Sequence, residues 1–165
     1  MNKKLIVVAV ILLIISLTSV YGIFFSNQNF EGKFTMDVPM GKHYQDVAYC
    51  YPNGGLGCIA EYVDTGSDDY FEEGDIIVYY YNNSLLVDGE SNAWQHAING
   101  LTTSYLFKLD HNDGDLTILT NDLDMKAIPH YLVGKSNDDG SEAVFVGGNN
   151  LDDVKRYAGT VEFLN

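Results

Sequence analysis

The chain is short of positive charge. It carries nine Lys and Arg against 23 Asp and Glu, a formal net charge of −14 at pH 7. All 23 acids, but only seven of the basic residues, lie after Phe25. Binding to nucleic acid needs Lys and Arg to neutralise phosphates, so this balance excludes it, and it argues against an anionic lipid surface for the same reason. It leaves a soluble, self-repelling surface, or one that collects cations or basic partners. Catalytic signatures are missing as well. There is no G-x-S-x-G, no HExxH and no phosphate-cradling glycine loop followed by Lys. The four histidines, His43, His96, His111 and His130, are scattered without metal-ligand spacing.

Charge of either sign is absent from Leu5 to Phe25, "LIVVAVILLIISLTSVYGIFF". At about 1.5 Å per helical residue this run spans roughly one hydrocarbon core. Lys3 and Lys4 precede it and no basic residue follows until Lys33, which puts the N-terminus in the cytoplasm and the rest outside. The reading is a single-pass anchor over 5–25, centred near Ile14, after a cytoplasmic segment 1–4. The competing reading is a cleaved signal peptide, with Val20 and Gly22 at the small-residue positions, which would make the product secreted. No cysteine lies near the end of the run, so a lipoprotein is excluded.

Residues 26–33 are polar and read as a tether to a single extracytoplasmic domain over 34–165. Phe34, Met36 and Val38 alternate with polar neighbours as a strand does. "HYQDVAYCY" and "CIAEYV" read as a strand pair, and "DIIVYYY" as a central strand with "NNS" turning after it. "SNAWQHAI" predicts a short helix with Ser91 as N-cap, Gly100 just past its end, and Trp94, Ala97 and Ile98 on one face. "TSYLFKLD" and "DLTILT" predict a hairpin with Asp113-Gly114 in its turn. "AIPHYLVGK" and "EAVFVGG" predict another pair, and "NLDDVKRYAG" a last helix with Asp152 and Asp153 at its N-terminal end. The expected class is α+β: an antiparallel sheet of six to seven strands, two helices packed on it, and one transmembrane helix before it.

The only two cysteines, Cys50 and Cys58, lie in "YCYPNGGLGC". If the turn is centred on Gly54, facing residues have numbers that sum to 108, and Cys50 lies opposite Cys58. A disulfide then needs the closely spaced, non-hydrogen-bonded type of pair. Two free structural thiols are the alternative. A redox pair fits less well, since the two-residue spacing is absent and no Lys or helix N-terminus stands beside either thiol. A zinc site would need four ligands, and only His43 is near.

Calcium is the one cofactor the acids suggest. "DHNDGD" sets Asp110, Asn112 and Asp113 near one another, but Asp113-Gly114 comes one residue early for an EF-hand loop and position 12 is Asn121. A hairpin turn explains the same letters. Asp64, Asp68, Asp69, Glu72, Glu73 and Asp75 crowd one connection that reads as a solvated loop or a weak cation site. Asn82 opens a glycosylation sequon, Asn82-Asn83-Ser84, which a plain turn also explains. Tyr79, Tyr80 and Tyr81 belong to the core or, if one face is open, to a sugar-stacking surface. "GGNN", Gly147 to Asn150, reads as a helix N-cap turn in preference to an anion site.

Three phrases carry a family resemblance. "GKFTMDVPMG" is similar to the opening strand of PsbP-like domains. "SNAWQHAI" before a hairpin is similar to their middle helix, and "EAVFVGGNNLDDVKRYAGTVEF" to their last strand, last helix and terminal Phe. The likeness covers most of the exported part in order of elements and little of it in residues; the two cysteines fall outside it. The chain is also similar in style to small single-anchor surface proteins of methanogenic archaea. What the PsbP-like resemblance implies is a binding or assembly module with no catalytic set. The expectation is therefore a membrane-anchored extracytoplasmic module with a protein or cell-surface partner. A cation-binding surface protein, or a hydrolase or redox accessory with a dispersed site, is the alternative.

Overall fold

The structure is a computed structural model, and it describes residues 25–47, 57–64, 74–103, 107–123 and 128–164. Ten strands run in chain order: β1 Phe25–Phe30, β2 Phe34–Pro39, β3 Tyr44–Asp46, β4 Ala60–Asp64, β5 Ile76–Asn82, β6 Lys108–Asp113, β7 Leu116–Thr120, β8 Tyr131–Ser136, β9 Glu142–Gly148 and β10 Glu162–Phe163. The α-helices are α1, Ala93–Thr103, and α2, Leu151–Gly159. The fold is α+β. Seven strands form one antiparallel sheet in the order β3-β4-β5-β9-β8-β7-β6, and three form a second, β1-β2-β10.

β5 shows why the large sheet is buried on both faces. Every residue from Ile76 to Tyr81 is buried, and the side chains alternate between two cores. Ile76, Val78 and Tyr80 join the core formed with β2 and α2. Ile77, Tyr79 and Tyr81 join the core beneath α1. Each fully buried apolar side chain contributes about 1.5–3 kcal/mol relative to exposure, so a central strand of this composition is stable only with a layer on each side. All three tyrosines are core residues, and no open sugar-stacking face exists there.

α1 outruns the expected helix. It continues through Gly100 to Thr103, because Ala93, Ala97 and Leu101 recur at i, i+4 and i+8 and all three are buried. Burying Leu101 outweighs the roughly 1 kcal/mol that an interior glycine costs. The cap is Asn92 in place of Ser91: its Oδ1 accepts the Gln95 N–H at 3.0 Å. Its Nδ2 donates to Asp139 O at 3.1 Å and ties the helix start to the β8–β9 turn. On the helix face, the Trp94 ring stacks on Phe145 with centroids 5.2 Å apart. Phe145 in turn lies on Gly134, where an added Cβ would come within 2.4 Å of the ring. A glycine on β8 is what lets the helix–sheet stack close.

Two boundaries move. Residues 26–33, expected as a tether, are most of a β-hairpin: β1 pairs with β2 from Phe25↔Pro39 to Phe30↔Phe34. Phe25, expected as the last anchor residue, opens β1, and the Arg156 guanidinium lies 4.6 Å from its ring centroid. The polar letters of "SNQN" misled because β1 is an edge strand with its middle residues largely exposed. In the β6–β7 hairpin Asp113 pairs with Leu116, so Gly114-Asp115 is the two-residue loop and Asp113 belongs to the strand. "NNS" forms a short 3-10 turn, Asn83–Leu85.

Candidate functional site

The two sheets meet along a seam between β1 and β3. Tyr44 faces Asp64 across β3–β4, and Val47 N donates to Glu61 O at 2.9 Å in the same register. Gln45 and Val47 therefore turn their main-chain groups toward β4, while Tyr44 and Asp46 turn theirs outward. Gln28 of β1 meets that edge. Its Nε2 donates to Tyr44 O at 2.7 Å, and its Oε1 accepts Tyr44 N–H at 3.1 Å. One side-chain amide makes both hydrogen bonds that a neighbouring strand would make.

A cleft of about 320 Å³ opens beside this contact, lined on the β1 side by Gln28 and Glu31 and on the β3 side by His43, Gln45 and Asp46. Glu31 enters it from the β1–β2 turn with a φ of 54°, the left-handed region that side chains other than glycine seldom adopt. The tight turn, closed by Lys33 N to Phe30 O at 3.0 Å, imposes that conformation. The Glu31 carboxylate pairs with the Lys33 ammonium and accepts a hydrogen bond from Tyr62 OH at 3.1 Å. Lys33 Nζ also donates to Tyr62 OH at 3.0 Å and lies 5.6 Å from the Tyr62 ring centroid and 5.9 Å from that of Tyr80. Phe30 stacks on Phe34 at 4.5 Å and supports Tyr62 edge-on at 5.1 Å.

The ionisation states follow from these contacts. The Lys33 hydrogen bond holds the Glu31 carboxyl below its ordinary value, against the opposing effect of burial. Burial pulls the Lys33 ammonium down, but its bonds to Glu31 and Tyr62 outweigh that and hold it above the ordinary lysine value. Burial pushes the Tyr62 phenol up to about 12, with Lys33 opposing. At neutral pH the trio is carboxylate, ammonium and neutral phenol. None of the three is shifted toward neutral pH, where general acid–base catalysis is most effective. The arrangement can hold shape, offer hydrogen bonds and present negative charge.

The sequence candidates disperse. Cys58 is buried just ahead of β4, in the core that α1 covers; Cys50 lies outside the described residues. Asp64 and Asp75 lie on either side of Lys42, whose Nζ is 2.8 Å from Asp64 and 4.0 Å from Asp75. Asp68, Asp69, Glu72 and Glu73 lie outside the described residues. In "DHNDGD", Asp110 faces His111 at 2.9 Å, Asn112 accepts from Thr117 at 2.8 Å, and Asp113 pairs with Lys155 of α2. Those three side chains do not converge on one point. Among the described residues no group of three or more His, Cys, Asp or Glu is arranged to hold a metal ion.

Asn82 ends β5, and its Oδ1 accepts from Ser84 N at 2.9 Å and from Ser84 Oγ at 2.6 Å, so the sequon is folded into its own turn. Asn150 caps α2 by accepting Asp153 N–H at 3.2 Å. His43 and His130 are exposed, and His96 is a clasp: Nδ1 lies 2.6 Å from Glu90 and Nε2 lies 3.1 Å from Gly57 O. Gly57 has a φ of +62°, and a Cβ there would lie 3.0 Å from the ring nitrogen, so glycine suits the position twice over. Leu5 and Ile14 lie outside the described residues. Among the described residues no helix is long and apolar enough to cross a membrane.

Sequence reasoning missed Gln28, Glu31, Lys33 and Tyr62 as a group. A signal was present: Phe30 and Phe34 bracket Glu31-Gly32-Lys33, a short turn between two apolar residues. Comparison with known proteins finds no matching family model, no matching curated protein and no matching solved structure.

Proposed function

We propose that the chain is a non-catalytic binding or assembly module whose ligand-facing site is the β1–β3 cleft, exported by the apolar run over 5–25 and working outside the cytoplasm. The observation that carries this reading is the cleft itself: it joins both sheets, and the charged and phenolic groups packed beside it, Glu31, Lys33 and Tyr62, are held in their resting ionisation states. General acid–base catalysis works best with a group tuned toward neutral pH; Glu31, Lys33 and Tyr62 are tuned away from it. The PsbP-like resemblance points to the same kind of role. With β1 beginning at Phe25, an uncleaved anchor would carry the domain directly against the membrane, and cleavage after Gly22 would free it with only Ile23 and Phe24 ahead of β1.

The test is a comparative pull-down of the full chain from its own membranes, set against the double variant His43→Ala/Gln45→Ala. Both side chains are exposed, so folding is preserved. A partner retained by the parent chain and lost with the variant is expected. Identical partner sets would remove the cleft from consideration, and no partner above background would remove the binding reading.

A further inference from the structure

We infer that His96 is a proton-dependent latch: as an imidazolium it pins the chain ahead of β4 to α1, and when the ring loses its Nε2 proton it releases that chain. The geometry fixes the chemistry. Nδ1 lies 2.6 Å from Glu90 Oε2, and Nε2 lies 3.1 Å from Gly57 O. A carbonyl oxygen only accepts hydrogen bonds, and so does a carboxylate. Burial pushes the Glu90 carboxyl up, but the Val87 N–H and the His96 ring outweigh that and keep it ionised at neutral pH. Each of the two contacts therefore needs its proton on the ring nitrogen. A neutral imidazole carries one such proton and an imidazolium carries two, so only the charged ring makes both bonds. Gly57 is shaped for the contact: its φ is +62°, and a Cβ there would lie 3.0 Å from Nε2. Ile59, two residues on, donates to Tyr80 O at 2.8 Å, so the sheet takes hold of the chain just past the point that His96 holds.

The order of release follows from the partners. The Nδ1 proton faces a carboxylate and the Nε2 proton a neutral carbonyl, and the hydrogen bond to the charged partner is the stronger. The Nε2 proton is the one given up as the pH rises through the histidine range. Two acceptors then face each other across that contact, between side chains only 14% and 10% exposed, where an unmade hydrogen bond is costly. The latch is closed on the acid side of that range and open on the alkaline side. In stronger acid Glu90 takes up a proton and the grip on Nδ1 weakens, which bounds the closed state from below. The other groups around the ring do not compete for this role. α1 carries no second ionisable side chain, and its Asn99 meets Glu90 as a neutral amide. Tyr81 of β5 meets the ring edge-on with centroids 6.4 Å apart, and burial holds its phenol neutral. Glu61 of β4 acts on Tyr79 and Tyr81, and Cys58 turns into the core beneath α1.

The test uses the full chain in detergent and two readouts. One is nitrogen NMR of isotope-labelled histidine, with the His96 signals assigned by their loss in His96→Gln. The other is amide hydrogen exchange read by mass spectrometry and corrected for the intrinsic effect of pH. At about pH 5 both His96 ring nitrogens should carry protons, and at about pH 8 only Nδ1 should. Over the same interval the segment 57–64 should come to exchange at least about threefold faster, with β5 unchanged. His96→Gln, which does not titrate, should exchange 57–64 at one rate at both pH values. Glu90→Gln, which removes the charge that holds the Nδ1 proton, should reach the faster rate at a lower pH than the parent. A ring at the upper pH with its proton on Nε2 overturns the latch, and so does equal exchange of 57–64 at the two pH values. A pH dependence that survives in His96→Gln assigns the effect to another group and also overturns it. If that variant fails to fold, the ring signals of the parent and the shift in Glu90→Gln decide the matter, and no shift overturns the latch.

Discussion

Glu31 and Glu90 show how single carboxylates are used in this molecule. Glu31 occupies a left-handed turn position at a cost of the order of 1 kcal/mol, and the return is a carboxylate fixed between Lys33 and Tyr62. Glu90 anchors the His96 clasp. Burial pushes its carboxyl up, but the Val87 N–H at 3.1 Å and the His96 ring outweigh that and hold it below its ordinary value near 4.5. A carboxyl lowered in the fold contributes stability that is present above its unfolded value and lost as pH falls through its folded value. Asp64, held down by Lys42 and His43 N–H against burial, adds in the same direction. Chemical denaturation as a function of pH should therefore show stability falling as the pH drops below about 4.5. Glu90→Gln should be less stable at pH 7 and show a shallower acid limb; an unchanged limb would mean that Glu90 gains nothing from the fold. None of these pairings could be read along the chain, because Glu90 meets Gly57 through His96 across 39 and 6 residues.

At the scale of elements, the register of β3 and β4 is the most informative feature. The described pairs Tyr44↔Asp64, Gln45↔Val63 and Asp46↔Tyr62 all have numbers that sum to 108, the register expected of a turn centred on Gly54. The Val47–Glu61 hydrogen bond then marks odd-numbered residues of β3 as the hydrogen-bonded pairs. Continued along the strands, the same alternation would make Cys50 and Cys58 a non-hydrogen-bonded pair, the closer type that a disulfide requires. We therefore predict an intact mass lower by two hydrogens without reductant, and about 2–3 kcal/mol lost on reduction. Two alkylatable thiols in the native protein would refute it. The hairpins, the central strand and both helices were legible because side-chain period and turn chemistry are local. The end of α1 was not, because Gly100 is a stop signal until Leu101 finds a core to fill.

At the scale of the whole molecule, the described residues pack in three layers, with the small sheet and α2 on one face of the large sheet and α1 on the other. Its exposed ends are managed. β3 is three residues long, β10 is two, and β6 carries Lys108, Asp110 and Asp113 with a register shift between Leu109 and His111. Short, charged and irregular edges resist unwanted pairing. The β1 hairpin belongs to this body. A chain beginning at Phe34, the boundary that a tether would allow, should lose the Phe30–Phe34–Tyr62 cluster and melt well below a chain beginning at Phe25. The difference should be at least the 3–5 kcal/mol typical of removing one buried Phe. Equal melting by circular dichroism would return β1 to the status of a linker.

The sequence by itself determined the α+β class, the hairpin pairs β3–β4, β6–β7 and β8–β9 and the place of β5 inside the sheet. These rest on alternation, turn length and capping, which act over a few residues. Only the tertiary structure decided that the strands divide into two sheets and that Gln28 joins them. It also brought Glu31, Lys33 and Tyr62 together beside a cleft. Those outcomes depend on which strand edges meet: Gln28 stands 16 residues from Tyr44, and Tyr62 stands 29 from Lys33 and 31 from Glu31, with no period to announce them.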